Sequence, residues 1–583
     1  MIHFLKSFGF LLVYCVVSVI LIFIFDNVFP KHNVEISLVT SIIPIGILAY
    51  YFREARYILF SIISANLIFL SFPDLDFFYL IYFAFIPLFI LVKQDLTYKS
   101  LFLYGMAAGI VNSAGGFYWL NHTIIDFGHL SGYASTPIFI LFTIAFSLKF
   151  PVIVIGLRLV EKHIKINRLI TFPIVITLAD FLIPELFPWY FGNSQHTNFY
   201  FIQIAEITSV VGITYLIGFI NTLFYEIYLT AKTKTKLPIK GITVGIILIV
   251  GVYIFGFIRV SQIKDMQKTA QTINVGIIQP NTPMTYKRKS REQIFQTINT
   301  LSHQVLNEAK QKSLKLDLLV WPESSASFSY SHPYLGMYSR KYLTLINSLA
   351  RDNDLYVFFG DLDLERNRNK IDFFNTASLV GPDLKPPYET GNKYHKIYLL
   401  AFGEYIPLGP FGEWFPSLKS AFKKVFKEVG DHTKGDSIKV FNFPKAKLAP
   451  QICYEIIIPS FTRQFIKEGG ELIINITNDI WFGITKASKQ HLIIASFRAI
   501  ENRVPIVRST NSGISTFIDP LGDIVTRETP LDRTDTLIHT VRPLKITSVY
   551  TFMGDVFSYI LIGTMFFIIF FRKKLADIKL LMR

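Results

Sequence analysis

KLAPQICYE, residues 447–455, has the pattern of a buried β-strand that ends in Cys453 and Glu455. Other short apolar runs of the same β-type character follow one another between residues 272 and 545, and helical patterns such as 291–314 and 487–503 lie between several of them. These runs are TINVGIIQP (272–280), LDLLVWPES (316–324), LYVFFGDLD (355–363), ELIINITND (471–479), PIVRSTNSG (505–513) and STFIDPLGD (515–523). Strands that alternate with helices predict an α/β layered domain.

Three predicted strand ends carry reactive side chains. They present Glu323, Lys396 (with Glu404 eight residues later) and Cys453. A thiol nucleophile needs a base, and a tetrahedral intermediate needs positive charge and N–H donors near its oxygen. Taken singly, a cysteine on a β-run is more often a small buried hydrophobe, and a lysine after Tyr-His more often a surface charge. Together the three favour covalent catalysis through Cys453.

The rest of the chain has the composition of a membrane protein. Hydrophobic residues make up 51% of the chain and charged residues 17%, and the mean hydropathy is +0.41. The apolar excess lies in 1–260 and 556–571, so we predict three parts: a multi-span domain of about nine helices (1–260), a soluble catalytic domain (261–545), and a transmembrane helix with a basic tail (546–583). The candidate spans are 8–26, 36–52, 56–72, 77–93, 101–120, 134–158, 169–187, 203–230, 240–258 and 555–571.

The distribution of positive charge predicts the orientation of these spans. The formal charge is +16, and many of the basic residues fall in every second loop, whereas the other short loops hold little beyond Lys31. The basic loops and tail contain Arg53, Arg56, Lys93, Lys99, Arg158, Lys162, Lys165, Arg168, Lys232, Lys234, Lys236, Lys240, Arg572, Lys573 and Lys574. This pattern argues against a nucleic-acid-binding protein. It predicts that both termini lie in the cytoplasm and the catalytic domain outside it, which in a bacterium means the cytoplasmic (inner) membrane with the domain in the periplasm.

The predicted outer loops are rich in aromatic and uncharged polar residues. The loop segments 115–133 and 187–201 contain Trp119 and Trp189, which are either interfacial anchors or contacts for a lipid substrate. Lys149 and Asp180 fall within apolar runs, where ionisable residues are functional candidates.

Cysteine and histidine usage limits the other chemistry. The two cysteines, Cys15 and Cys453, fall in different predicted domains, so a disulfide is not expected. His395 and His491 are isolated in sequence. We therefore expect no metal and no cofactor.

Several segments resemble a known family. VWPES (320–324), YHKIYLLAFGEYIPL (394–408), ICYE (452–455) and TNDIWFG (477–483) are similar to signature blocks of the nitrilase superfamily. Together with FPW (187–189), QIAEITSVVGITYLIGFIN (203–221) and FRAIENRVPIVRSTNSGIS (497–515), they resemble its membrane-bound apolipoprotein N-acyltransferase branch.

The resemblance implies an αββα sandwich and a role for each matching residue. Glu323 would be the general base, Lys396 the oxyanion-stabilising cation and Cys453 the nucleophile. The accessory residues would be Glu404, Tyr454 through its backbone N–H, and Glu455. Further candidate contacts for lipid or substrate are Trp119, Trp189, Trp414, Phe415 and Trp481.

Three features bear on the comparison with the family pattern. QPNTPMTYKRKS (279–290) lacks a Trp that the family often has, and Arg288 falls there. The first two spans, 8–26 and 36–52, look extra to the usual eight. Phe411, Phe415, Leu418, Phe422 and Val425 recur at helical spacing among lysines, which predicts an amphipathic helix over 410–431 that lies either on the membrane surface or against the domain.

The resemblance implies an N-acyltransferase, and we expect a monomer that works through a Cys453 thioester in a ping-pong cycle. Its donor would be a phospholipid, such as phosphatidylethanolamine, and its acceptor the diacylglyceryl cysteine of a lipoprotein. Three alternatives stay open: a membrane-tethered amidase that hydrolyses a small amide, a transporter or receptor with an inactive nitrilase-like domain, and N-acylation of another lipidated amine.

Overall fold

The computed structural model describes nine stretches of the 583-residue chain. They are residues 2–25, 33–126, 132–164, 166–283, 290–325, 336–367, 370–401, 403–405 and 432–571. The amphipathic helix predicted over 410–431, with Trp414 and Phe415, lies outside the described residues, as does Arg288. The chain divides into two compact units, one of residues 1–121, 132–257 and 555–583 and the other of residues 122–131 and 258–554.

The first unit is helical. The helices that form it, including two that continue into the second unit, are Ile2–Phe25, Asn33–Thr40, Ile42–Tyr51, Arg53–Phe69, Ile86–Val92, Tyr98–Phe117, Trp119–Asp126, Gly132–Phe146, Lys149–His163, Arg168–Leu182, Ala205–Thr233, Ile239–Thr269 and Val556–Phe570, with 3-10 helices at Phe78–Tyr82, Phe191–Gln195 and Phe201–Ile204. Within the described residues, five stretches are long and apolar enough to cross a membrane: Leu5–Ile22, Val34–Tyr51, Ser135–His163, Phe201–Thr233 and Ile239–Thr269.

Proline residues mark two places where a predicted span is interrupted. The span predicted over 134–158 consists of two helices, Gly132–Phe146 and Lys149–His163, and Pro151 lies in the first turn of the second. The span predicted over 77–93 begins as a 3-10 helix, and Pro87 lies in the first turn of Ile86–Val92. Proline is tolerated in a first turn because its missing N–H would have no helical partner there.

A buried ionic cluster stabilises the loop that follows helix Arg168–Leu182. The Lys149 ammonium lies 2.8 Å from Asp180 Oδ1 and 2.8 Å from Glu185 Oε1, and its side chain is 3% exposed. The second oxygen of Glu185 accepts the Trp189 backbone N–H at 3.1 Å. The second oxygen of Asp180 accepts the Phe191 N–H at 2.9 Å. Asp180 and Glu185 are therefore the partners of Lys149, and the sequence alone did not identify them.

The second unit contains two β-sheets and flanking helices. In chain order its strands are β1 Ile273–Gln279, β2 Leu318–Val320, β3 Tyr356–Asn367, β4 Lys370–Val380, β5 Lys393–His395, β6 Phe441–Phe443, β7 Ala446–Ile452, β8 Leu472–Thr477, β9 Ile506–Thr510, β10 Thr516–Ile518 and β11 Asp535–Val541. One sheet has the order β11-β1-β2-β3-β4-β5 and the other the order β10-β9-β8-β7-β6. The longer helices are Ser290–Gln311, Met337–Asn353, Pro459–Lys467 and Ala487–Asn502, and two short ones are Pro387–Thr390 and Val549–Met553.

The two sheets pack against each other through their inner strands. The Ser509 hydroxyl of β9 donates to the Ile278 carbonyl of β1 at 3.1 Å, and the rings of Phe358 and Phe441 lie 5.7 Å apart. On the outer face of the six-stranded sheet, Ile298 and Ile346 of the first two longer helices join a fully buried apolar cluster. The predicted nitrilase-like αββα arrangement is confirmed.

We expect the protein to lose much of its stability when the Lys149 ammonium is removed from the buried ionic cluster. Replacing Lys149 with Met leaves two buried carboxylates without their cation, so we expect the free energy of unfolding to fall by about 3 kcal/mol or more. Thermal unfolding of the detergent-solubilised protein measures this. Lys162→Met, at an exposed position of the same helix, is the matched control. Equal melting temperatures for the two variants would contradict the prediction.

Candidate active site

Glu323 follows β2 at a point where two backbones come close together. A Cβ on Gly360 of β3 would lie 2.9 Å from the Glu323 Cα and 2.8 Å from the Ser324 nitrogen. Only glycine leaves room for this approach. Ser324 itself has a left-handed backbone with φ 54°. The turn therefore directs the Glu323 side chain, which is buried, from a fixed position at the strand end.

Lys396 follows β5, and its ammonium lies between two buried carboxylates. Its Nζ is 2.8 Å from Glu404 Oε2 and 3.4 Å from Glu323 Oε1. The Glu404 carboxylate also accepts the Leu400 backbone N–H at 2.8 Å. The structure thus brings together three of the predicted site residues, with Glu404 the closer partner of the ammonium.

Asn375 of β4 bridges the two carboxylates, and the sequence reasoning missed it. Its side-chain amide donates to Glu323 Oε1 at 2.7 Å and to Glu404 Oε1 at 2.9 Å. The available signal was an asparagine in the largely apolar stretch FFNTASLV, residues 373–380. The remaining Glu323 oxygen, Oε2, is buried and has no hydrogen-bond partner in the described part of the chain. That oxygen is the open acceptor of the site.

The surroundings shift the pKa values of the two carboxyls in opposite directions. Burial raises the pKa of Glu323, and the charge of Glu404 adds to that effect against the opposing Lys396. Burial also acts to raise the pKa of Glu404, but Lys396 and the Leu400 N–H outweigh it and hold that pKa below its usual range. Burial acts to lower the pKa of Lys396, and the two carboxylates raise it well above its ordinary value. Glu404 is therefore the charge partner of Lys396, and Glu323 is the more basic carboxylate.

Cys453 is the first residue after β7 and is 6% exposed. Its backbone is left-handed with φ 53°, a conformation that a non-glycine residue adopts at a cost of about 1–3 kcal/mol. Burial and the charge of Glu323 raise the pKa of its thiol to about 12, against the opposing Lys396. The thiol is therefore protonated at neutral pH and needs a base to become nucleophilic.

Glu455 joins the Cys453 turn to the Lys396 segment. One of its oxygens accepts the Ile452 N–H at 2.8 Å, and the other accepts the Ile397 N–H at 2.8 Å and the Tyr394 hydroxyl at 2.6 Å. Burial raises the pKa of Glu455 to about 7 against these donors. This carboxyl fixes two strand ends of different sheets relative to each other.

The other predicted site residues lie in several places. Tyr454 follows the nucleophile and is half-buried, and Trp481 is half-buried in the 3-10 helix Asp479–Phe482. Trp119 and Trp189 are buried in the first unit, where the Trp119 ring lies 5.1 Å from that of Phe187. The roles of these four residues stay predictions.

One group of possible metal ligands occurs among the described residues. Ligand atoms of Asp363, Glu365 and His395 lie within 4.8 Å of one another. The Lys393 ammonium lies 2.5 Å from Asp363, and His395 Nε2 lies 3.0 Å from the same carboxylate. Lys393 thus already supplies a positive charge to this carboxylate.

The chain matches two protein-family models. Residues 274–550 match the model described as carbon-nitrogen hydrolase. Residues 64–223 match the model described as apolipoprotein N-acyltransferase N-terminal domain. The fold and these matches define a carbon–nitrogen hydrolase domain joined to a helical membrane domain. The chain therefore combines the two domains that these models describe, an apolipoprotein N-acyltransferase N-terminal domain and a carbon-nitrogen hydrolase domain.

Curated relatives of the chain carry the same family name. An apolipoprotein N-acyltransferase of Geobacter metallireducens is 29% identical over 86% of this chain and 92% of its own length. The apolipoprotein N-acyltransferase 2 of Leptospira interrogans is 28% identical over 81% of this chain and 88% of its own length. Among solved structures, Saccharomyces cerevisiae Nit3 aligns with 47% of this chain and 91% of its own length at 17% identity, with a TM-score of 0.34.

The position of Glu455 predicts a pH-dependent component of stability. Its folded pKa of about 7 lies above the ordinary 4.5, so the folded state binds this proton more tightly than the unfolded state. The contribution to stability is full below pH 4.5, falls between pH 4.5 and 7, and is constant above, a change of about 3 kcal/mol. Unfolding of the wild type and Glu455→Gln across this range measures it. The gap between the two curves should change with pH, and parallel curves would rule the effect out.

Proposed function

We propose that this chain transfers a fatty acyl chain from a membrane phospholipid to the N-terminal amine of the diacylglyceryl cysteine of a lipoprotein. The observation that carries the proposal is the buried Lys396 ammonium between Glu323 and Glu404, with the Cys453 thiol within its electrostatic reach. The family supplies the substrate classes, and the site supplies the chemistry. No step requires a metal or a cofactor.

In the first half-reaction Cys453 becomes acylated. Glu323 Oε2 takes the proton of the thiol, and the thiolate attacks the ester carbonyl carbon of the phospholipid. Lys396 and the backbone N–H of Tyr454 stabilise the oxyanion. Collapse of the tetrahedral intermediate breaks the ester C–O bond. The proton on Glu323 passes to the departing alkoxide, which leaves as a lysophospholipid alcohol.

In the second half-reaction the amine of the acceptor attacks the thioester carbonyl. Glu323, again unprotonated, takes a proton from the attacking nitrogen. The C–S bond breaks, the new C–N bond is an amide, and the proton returns to the sulfur, which restores the Cys453 thiol. The cycle is ping-pong, and the same carboxylate transfers the proton in both halves.

Membrane attachment suits these substrates because both are held in a bilayer. We propose that the protein resides in the bacterial cytoplasmic membrane as a monomer, with the catalytic unit in the periplasm and both termini in the cytoplasm. Phosphatidylethanolamine is the donor we expect. Basic residues concentrated in alternate loops support this orientation.

The thioester is the intermediate that tests the proposal. Incubation of the purified protein with phosphatidylethanolamine should add one acyl mass to the intact protein, because the donor can react in the absence of the acceptor. Hydroxylamine should remove that mass, and a diacylglyceryl-cysteine peptide should discharge it to an amide. Intact-protein mass spectrometry measures each step.

Two variants serve as controls for this experiment. Cys453→Ala should acquire no acyl mass, and Glu365→Gln, an exposed position on β3, should react like the wild type. A wild-type protein that stays unmodified with every phospholipid but hydrolyses small amides would replace the proposal with the amidase alternative.

The two site carboxylates should have different kinetic signatures. Glu323→Gln removes the base, so we expect acylation to slow by about a hundredfold or more. Glu404→Gln leaves Glu323 as the sole anionic partner of Lys396, which lowers the pKa of Glu323. Since Glu323 must be unprotonated to act, the acidic limb of the pH–rate profile should move to lower pH in Glu404→Gln. Movement to higher pH, or no movement, would assign the roles differently.

A further inference from the structure

Thr477 and Asp479 lie beside the candidate nucleophile at the neighbouring strand end. Strands β7 and β8 are parallel with Ile452 opposite Ile476, so the residues that follow, Cys453 and Thr477, are adjacent. The Thr477 hydroxyl donates to Asp479 Oδ1 at 3.3 Å. Hydrogen bonding from the same side chain acts to lower the pKa of the Cys453 thiol. Both Thr477 and Asp479 are buried, and the mechanism above uses neither.

The Thr477 hydroxyl has one hydrogen and two acceptors within reach. When Cys453 is a thiol, the sulfur needs no donor, and the hydroxyl hydrogen can remain on Asp479. Once Glu323 has taken the thiol proton, the sulfur is an anion and becomes the stronger acceptor. Rotation about the Cβ–Oγ1 bond of Thr477 is enough to direct its hydrogen from the carboxylate to the sulfur.

Asp479 cannot move with this hydrogen, because its surroundings fix it. Its Oδ2 lies 2.9 Å from the Arg508 guanidinium and its Oδ1 3.0 Å from His491 Nδ1. On the other side, a Cβ on Gly513 would come within 2.4 Å of Oδ2, so this contact also requires glycine. The carboxylate therefore keeps its negative charge at a constant place next to Cys453.

These contacts give the two residues opposite effects on the sulfur. Hydrogen bonding from Thr477 acts to lower the pKa of the Cys453 thiol, whereas the charge of Asp479 acts to raise it. The other charged groups that act on the sulfur are Glu323, which also opposes the thiolate, and Lys396, which favours it. His491 and Arg508 contact Asp479.

We propose that Thr477 is a further catalytic residue that donates its hydroxyl hydrogen to the Cys453 thiolate, and that Asp479 is a positioning residue that holds this hydroxyl and keeps the resting thiol protonated. The inference rests on the proposed function only in taking Cys453 as the nucleophile. The exchange requires no co-reactant, because the one proton that leaves the sulfur goes to Glu323.

Thiol alkylation tests the inference without any acyl transfer. In a Cys15→Ala background the full-length protein has one thiol, so the rate of iodoacetamide addition, followed by intact mass from pH 7 to 10, reports the Cys453 thiolate alone. Thr477→Val keeps the side-chain volume but removes the donor, and we expect alkylation about tenfold slower at each pH. Thr477→Ser restores the hydroxyl and should stay within about threefold of the background protein. Asp479→Asn removes the opposing charge and should react faster, by about threefold or more.

The opposite signs separate this inference from a purely structural effect, which would slow or disorder every variant alike. Equal rates for Thr477→Val and the background protein, or a Thr477→Ser variant as slow as Thr477→Val, would overturn the role of Thr477. Slower alkylation of Asp479→Asn at an unchanged melting temperature would overturn the role of Asp479. If Asp479→Asn does not fold, the comparison of Thr477→Val with Thr477→Ser still tests the role of Thr477. A failure of lipid acylation with these alkylation rates intact would count against the proposed function and leave the inference standing.

Discussion

The buried Lys396 ammonium neutralises two buried carboxylates, Glu404 and Glu323, to different extents. The rest of the site depends on this difference. Lys396 is closer to Glu404 than to Glu323, and Glu404 has a backbone N–H donor as well. A carboxylate deprived of water is stable only with such compensation. Glu404 therefore holds the charge. Glu323 has a raised pKa and one oxygen that has no hydrogen-bond partner among the residues that the structure describes. The carboxylates that stabilise the Lys396 ammonium away from water thus also leave Glu323 able to act as a base.

The same balance of charges affects the proton of Cys453, the candidate nucleophile. Cys453 occupies a strained left-handed turn, and its thiol holds its proton in the resting state. Because Glu323 and Lys396 come from the six-stranded sheet and Cys453 from the five-stranded sheet, reactivity depends on the accuracy of the packing between the sheets. Glu455 provides that accuracy through hydrogen bonds to both strand ends. An error of one ångström at this junction would separate the base from the thiol.

The sequence predicted the elements with a strong apolar pattern and missed those without one. Strands β8 and β9 are continuous buried runs and β7 is buried except at Lys447, and each was predicted to within a few residues at either end. Strand β4 was missed because KIDFFNTASLV mixes charged, polar and apolar residues, and with it Asn375, whose importance depends on two carboxylates that are remote in sequence. Glu185 was missed for a similar reason. It lies in a loop, and only the folded chain brings it to Lys149.

The Lys149–Asp180 contact has a consequence for how the chain enters the membrane. An unpaired ionic side chain at the centre of an inserted helix costs about 2.5–3.5 kcal/mol. The two helices that carry them, Lys149–His163 and Arg168–Leu182, are consecutive and joined by a short connection. Paired, the opposite charges shield each other from lipid. For the predicted spans that carry these two residues, insertion is therefore most favourable when both helices enter the bilayer together as a hairpin rather than one at a time.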